Sequence, residues 1–167
     1  LFLQKEKKVP CRLKKLNIYE ISFNKNSYYD YSVKLMKNNK KLNIAASIQA
    51  RMGSSRLPGK VMKDVFGKPL LLRQIERIQK CQNIQEIIVS TTTNTKDDPI
   101  VEMCKENSIL YFRGSEDNVL DRIARTINNF EIDIHAEFVG DSPLPDFELI
   151  DSYINMFLNE IDNIDYL

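Results

Sequence analysis

The chain has 167 residues, 28% of them charged and 43% hydrophobic, with a formal net charge of +1. That length suits one domain, no apolar run is long enough to cross a bilayer, and the balanced charge gives no support for nucleic acid as the main partner. Charge is unevenly placed, however: residues 1–41 carry eleven Lys or Arg against three Asp or Glu, a balance of +8, and the remainder sums to −7.

Residues 1–41 show little periodicity and are rich in Lys, Asn and Tyr, and the break in composition marks them as a basic extension outside the folded domain. Tyr19, Tyr28, Tyr29 and Tyr31 lie in no RNA-binding motif and read as compositional. The chain opens on Leu1, and Met36 stands just ahead of the lysine-rich 37–41. Residues 1–35 are therefore expected to be an upstream translation artefact or a poorly ordered tail. The opening Leu-Phe-Leu is too short for a secretory signal. Cys11, Cys81 and Cys104 are odd in number and lack metal-ligand spacing, so they read as reduced thiols of a cytoplasmic protein.

From residue 42 onward, apolar runs alternate with helical patterns. Strands are expected at 43–48, 86–90, 109–112 and 136–139, and helices at 69–81, 99–107, 116–129 and 146–158. Pro69 and Pro99 suit the first position of a helix, and Ser115 followed by Glu116 and Asp117 suits a cap. Leu70, Leu71, Ile75 and Ile78 form one face of the first helix; Val119, Leu120, Ile123 and Ile127 do the same for the third. The alternation predicts a three-layer α/β fold with a mainly parallel sheet. Ile164, Asp165, Tyr166 and Leu167 read as the start of another strand, so the C-terminal part of the fold is expected to be missing over 42–167.

The most informative segment follows the first strand: Gln49, Ala50, Arg51, Met52, Gly53, Ser54, Ser55, Arg56, Leu57, Pro58, Gly59, Lys60. Small residues let backbone N–H groups approach a polyanion, and Arg51, Arg56 and Lys60 supply the charge to neutralise it. Five residues separate Gly53 from Gly59 and Val61 follows the lysine, which excludes a Walker A loop. No third glycine opens a helix, which excludes the dinucleotide pattern.

This loop resembles the signature of the sugar-activating cytidylyltransferases. Residues 64–69, then Ser90, Thr91, Thr92, Thr93 and Asn94, then Asp97, Asp98, Pro99 and Ile100 follow in the family's order. Phe112, Arg113, Gly114, Ser115, Glu116, Asp117, Asn118, Val119, Leu120, Asp121 and Arg122 come next, and then Gly140, Asp141, Ser142, Pro143 and Leu144. Together they look most like the spore-coat polysaccharide branch, a neighbour of the acylneuraminate and 3-deoxy-manno-octulosonate cytidylyltransferases. The resemblance covers about 43–167.

It implies a Rossmann-like nucleotidyltransferase fold and transfer of CMP from CTP to a sugar acid or related sugar, with release of pyrophosphate, for surface glycan biosynthesis. It gives Arg51 and Lys60 the contacts critical to turnover. Gln49, Ala50, Gly53, Ser54, Ser55 and Arg56 are the expected nucleotide contacts, and Asp141 a ligand for Mg²⁺. Ser90, Thr91 and Thr92 close the second strand and are expected beside that loop, where their hydroxyls either contact the nucleotide or are structural, as threonines at a strand end often are. Arg113, Ser115, Asp121 and Arg122 are candidates for the same cleft, although an Asp121–Arg125 pair one helical turn apart accounts for Asp121 structurally. His135, the single histidine, belongs to no constellation. Val139 replaces a glutamine common in relatives two residues before the metal aspartate, so CTP rests on overall resemblance. Homodimers are common in the family. Another sugar nucleotidyltransferase of the same fold, or a noncatalytic nucleotide-binding module, fits the same residues.

Overall fold

A computed structural model describes residues 36–37, 40–54 and 56–161. Most of the basic extension, Ser55 and residues 164–167 lie outside those residues.

Met36–Lys37 (β1) and Lys40–Lys41 (β2) form a short antiparallel ladder. The main sheet is built on Ile44–Gln49 (β3), which is flanked on both sides by parallel neighbours. Ala45, Ala46 and Ser47 are fully buried, and their small side chains let covering layers approach this central strand. Asp64–Val65 (β4) and Lys68–Pro69 (β5) form a hairpin that feeds helix Leu70–Ile78 (α1). Then come Glu86–Thr92 (β6), Asp98–Glu106 (α2), Leu110–Gly114 (β7), Val119–Asn129 (α3), Ile134–Val139 (β8) and Phe147–Asn159 (α4).

The sheet runs β7-β6-β3-β8, all parallel. Ala46, Ile48 and Val89 face Leu71, Ile75 and Ile78 of α1 and Ile100, Met103 and Cys104 of α2. Ala45 and Ile88 face the opposite way, onto a cluster that includes Ile127 of α3. Helices therefore cover both sides, as the right-handed crossover rule requires once the chain doubles back after β7. Ile154 and Leu158 of α4 pack with Leu42 and Ile44. The expected three-layer architecture is observed.

Two local expectations fail. The third helix starts three residues later than expected, because Asn118 and not Ser115 caps it: the Asn118 Oδ1 accepts from the Asp121 N–H at 2.9 Å. The Ser115 hydroxyl instead accepts from the Asn118 N–H. The inner face of α3 also differs. Val119 and Leu120 are exposed, whereas Arg122 and Thr126 are buried. Their polar atoms find partners on the sheet, since the Thr126 hydroxyl lies 3.1 Å from that of Ser90 and Arg122 reaches Gln49. Apolar periodicity is a poor guide where the covered sheet surface is itself polar.

Candidate active site

The chain moves outward from β3 through β6 to β7 and then returns to the other side of β3 as β8. Connections diverge between β3 and β8, and the crevice at the carboxyl ends of such strands is where open α/β sheets bind ligands. A cleft of about 370 Å³ opens there.

One wall is the loop after β3. Its start is pinned by the Ala50 N–H donating to the Ser90 carbonyl and the Met52 N–H donating to Asp97 Oδ1 at 2.7 Å. The Gly59 N–H then closes the loop onto the Met52 carbonyl at 2.9 Å. Gly59 holds φ 67°, a left-handed conformation that a side chain would strain, and so aims the following 3₁₀ turn Lys60–Met62. Val61 is buried beneath that turn, which leaves Lys60 facing the cleft.

The other wall comes from β8. The Gly140 N–H donates to the Gln49 carbonyl at 2.9 Å, so the ends of β3 and β8 touch. An added Cβ at Gly140 would lie 3.0 Å from that carbonyl oxygen and 3.1 Å from Ala50 Cβ; only glycine fits comfortably. From behind, fully buried Gln74 of α1 donates its amide to the Val139 carbonyl at 2.9 Å. These contacts place Asp141 opposite Lys60, and the two form an ion pair across the cleft.

Arg51, Gly53, Ser54, Arg56, Lys60, Gln49 and Asp141 all line the cleft, as expected from sequence. Three cations face one carboxylate, a field that favours a polyanion. The hydrogen bond from Lys60 holds the Asp141 carboxyl below its ordinary range, with the charges of Lys60 and Arg56 adding to it and desolvation opposing.

Ala50 is buried and supports the loop through its backbone. Ser90, Thr91 and Thr92 are fully buried and do not line the cleft. Ser90 faces Thr126, and Thr92 donates to the buried carboxylate of Asp97. Arg113 is turned away, bonding the Thr92 and Asn94 carbonyls at 2.8 Å and Asp98 at 2.7 Å. Asp121 pairs with Arg125 at 3.2 Å, the structural alternative for that residue. His135 is satisfied by Ser47. Ser55 lies outside the described residues.

Asp97 and Gln74 were not singled out individually by sequence as site supports. Asp97 did carry a signal, an acidic residue two positions before the proline of a helix start. Gln74 is a polar residue on the inward side of α1, beside Leu71, Ile75 and Ile78.

Among the described residues no cluster of three or more metal-ligating side chains exists. A single carboxylate beside a cationic loop nevertheless fits Mg²⁺, which uses one or two carboxylates and takes its other ligands from phosphate oxygens and water.

The family model described as "Cytidylyltransferase" matches residues 45–166. The chain belongs to the cytidylyltransferase family. This cytidylyltransferase chain is 37% identical over 126 residues to an uncharacterised protein of Methanocaldococcus jannaschii, covering 75% of this chain and 51% of that one. It is 32% identical to a spore coat polysaccharide biosynthesis protein of Bacillus subtilis, covering 72% and 52%. A 3-deoxy-manno-octulosonate cytidylyltransferase of Christiangramia forsetii is also 32% identical, with coverage of 75% and 50%. The chain thus spans about half the length of the curated relatives it matches. Among solved structures, a cytidylyltransferase from Leptospira borgpetersenii superposes with a TM-score of 0.68 at 33% identity, covering 71% of this chain and 50% of that one. A CMP-2-keto-3-deoxy-manno-octonic acid synthetase complexed with CTP shares the fold, at a TM-score of 0.63 and 24% identity, covering 71% and 48%. No helix among the described residues is long and apolar enough to cross a membrane.

Proposed function

We propose that this chain carries the nucleotide site of an enzyme that transfers CMP from CTP to a hydroxyl of a sugar acid or related sugar, for surface glycan biosynthesis. The acceptor oxygen bonds to the α-phosphorus as the bond to the bridging oxygen breaks, and pyrophosphate leaves. No described residue is assigned as the base that takes the hydroxyl proton. The observation that carries this reading is the convergence of Arg51, Arg56 and Lys60 on one cleft with Asp141 opposite them.

Negative charge builds on the departing pyrophosphate, so positioned cations are the main catalytic requirement. Arg51 and Lys60 are the candidates for contacts that matter to turnover; Arg56, Gly53 and Ser54 hold the triphosphate. Asp141 would hold Mg²⁺ together with phosphate oxygens, and the ion would add charge neutralisation there. The name of the octulosonate relative supports the acceptor class, and that of the spore-coat relative supports a role in polysaccharide biosynthesis. A cytoplasmic location and a homodimer belong to the same reading.

The test is CTP-dependent release of pyrophosphate in the presence of Mg²⁺, with 3-deoxy-manno-octulosonate and other sugar acids offered as acceptors. Turnover with UTP or GTP and none with CTP would sink the base assignment. A rise in melting temperature with CTP and Mg²⁺, but no pyrophosphate with any acceptor, would favour a noncatalytic binding module.

A further inference from the structure

A line of polar side chains crosses the sheet surface beneath the cleft. Arg122 is 3% exposed, and its Nε donates to Gln49 Oε1 at 3.0 Å. Gln49 Nε2 lies 3.3 Å from Ser47 Oγ, and Ser47 Oγ lies 2.8 Å from His135 Nε2. The line therefore runs from α3 across β3 to β8. Room for Arg122 is made at the end of β7, where a Cβ on Gly114 would come within 2.8 Å of Arg122 Cγ. A second Arg122 bond, from Nη1 to the Ser115 carbonyl, anchors the guanidinium.

The direction of each bond follows from chemistry. A guanidinium has donors and no acceptor, so the oxygen of the Gln49 amide must face Arg122. The Gln49 nitrogen must then face Ser47, and one of its hydrogens goes to Ser47 Oγ. Ser47 Oγ could accept a second bond, but its hydroxyl hydrogen is fully buried and, among the described residues, His135 Nε2 is the remaining group in reach, so the hydrogen goes there and Nε2 is the unprotonated nitrogen. His135 is then neutral with its proton on Nδ1. Burial of His135, which lowers its pKa from the ordinary 6.5, agrees with a neutral ring. Gln49 itself lines the cleft, and its second N–H is the amide hydrogen not committed to Ser47.

We propose that Arg122 is a positioning residue that fixes the Gln49 amide so that the cleft is offered an N–H donor there and not a carbonyl. Gln49 then selects a ligand atom that accepts a hydrogen bond, such as a carbonyl, carboxylate or hydroxyl oxygen. This selection rests on the nucleotidyl-transfer reading; the direction of the relay does not. Sequence reasoning names both residues as candidates for the cleft, but the dependence of one on the other arises only from the fold.

The deciding measurement is the tautomer of His135, read from its imidazole ¹⁵N shifts by NMR. The wild-type protein is expected to hold the proton on Nδ1. In Gln49→Glu the carboxylate still accepts from Arg122 but can no longer donate to Ser47. The Ser47 hydroxyl then turns toward the glutamate, and His135 must donate from Nε2, so the tautomer inverts. Arg122→Lys, which still only donates, is expected to keep the wild-type tautomer, whereas Arg122→Met releases the amide and raises the Nε2–H population. A wild-type ring protonated on Nε2, or a Gln49→Glu ring unchanged from wild type, overturns the relay. With CTP and Mg²⁺ as the probe, Gln49→Glu is expected to bind at least about tenfold more weakly, and Arg122→Lys within about threefold of wild type. Equal affinity in wild type and Gln49→Glu removes the selection step. No CTP binding by the wild-type protein defeats the nucleotide reading, while the tautomer still decides the relay.

Discussion

Lys60, on the loop after β3, and Asp141, at the end of β8, are 81 positions apart in the chain and joined by an ion pair across the cleft. The pair sets each group where its proposed partner would arrive, the triphosphate for Lys60 and Mg²⁺ for Asp141. The two substitutions should therefore separate. Lys60→Ala or Arg51→Ala is expected to weaken CTP binding about tenfold or more by calorimetry, the scale of one lost charge-assisted bond. Asp141→Ala is expected to leave much of that affinity and to remove Mg²⁺-dependent turnover. Wild-type behaviour of all three variants would refute the site.

Gly140 is expected to be intolerant for reasons of space alone. In Gly140→Ala the new methyl presses on the Gln49 carbonyl and Ala50, and the strand ends must part. A loss of about 1–3 kcal/mol in urea denaturation is anticipated, the usual range for overpacking. CTP affinity should fall with it, because Asp141 follows directly. An alanine variant with unchanged stability and affinity would show that the ends of β3 and β8 need not touch.

His135 gives stability a pH dependence of known sign. Burial lowers its pKa, so the folded state favours the neutral ring and the unfolded chain takes up the proton first. Its contribution is full above pH about 6.5 and is lost as pH falls toward the folded value. Glu137, two residues on, is pushed up by desolvation, and its effect has the opposite sign. Comparison with His135→Gln isolates the histidine. Between pH 7.5 and 5 the wild-type protein should lose more stability than the variant. Parallel pH profiles for the two proteins would count against the assignment.

Phe66 occupies the tip of the β4–β5 hairpin at φ 53°, is followed by Gly67 at φ 82°, and is almost wholly exposed. Two left-handed residues between paired Val65 and Lys68 make a turn that prefers Asn or Gly at its first position. Phe66→Asn is expected to raise stability by roughly 0.5–1 kcal/mol, measured by denaturant unfolding. A loss instead would mean that the phenyl ring contributes something its exposure does not suggest.

Local signals made much of the fold legible. Gly, Pro and apolar spacing mark the strands and helices to within a few residues, and the loop from Gln49 to Lys60 carries its cations in one stretch of chain. The supports of the site were harder to read because their partners are distant in sequence. Asp97 reaches back 45 positions to Met52, Gln74 forward 65 to Val139, and Arg122 back 73 to Gln49. Ser90 and Thr92 stand beside the loop as expected, but their hydroxyls are spent on Thr126 and Asp97. A run of hydroxyl residues at a strand end does not reveal which way each side chain turns. On α3, the apolar spacing points Val119 and Leu120 at the core, yet they are exposed and Arg122 is buried, since nothing local shows that the sheet there is polar.

The pairing of β8 with β3 also bears on the order of folding. β6 follows β3 closely in the chain, whereas the β8 end of the sheet is tied through Asn43 and Asp133, 90 positions apart. Closing the longer loop costs more entropy, so β8 is expected to dock late. Lys60 and Asp141 meet only in that step. A nucleotide held between them then acts as a clasp on the last strand to arrive: it should slow unfolding and leave the folding rate nearly unchanged. Stopped-flow unfolding with and without CTP would show this as a shift of the unfolding limb alone, and a faster folding limb would mean that the cleft is already formed at the transition state.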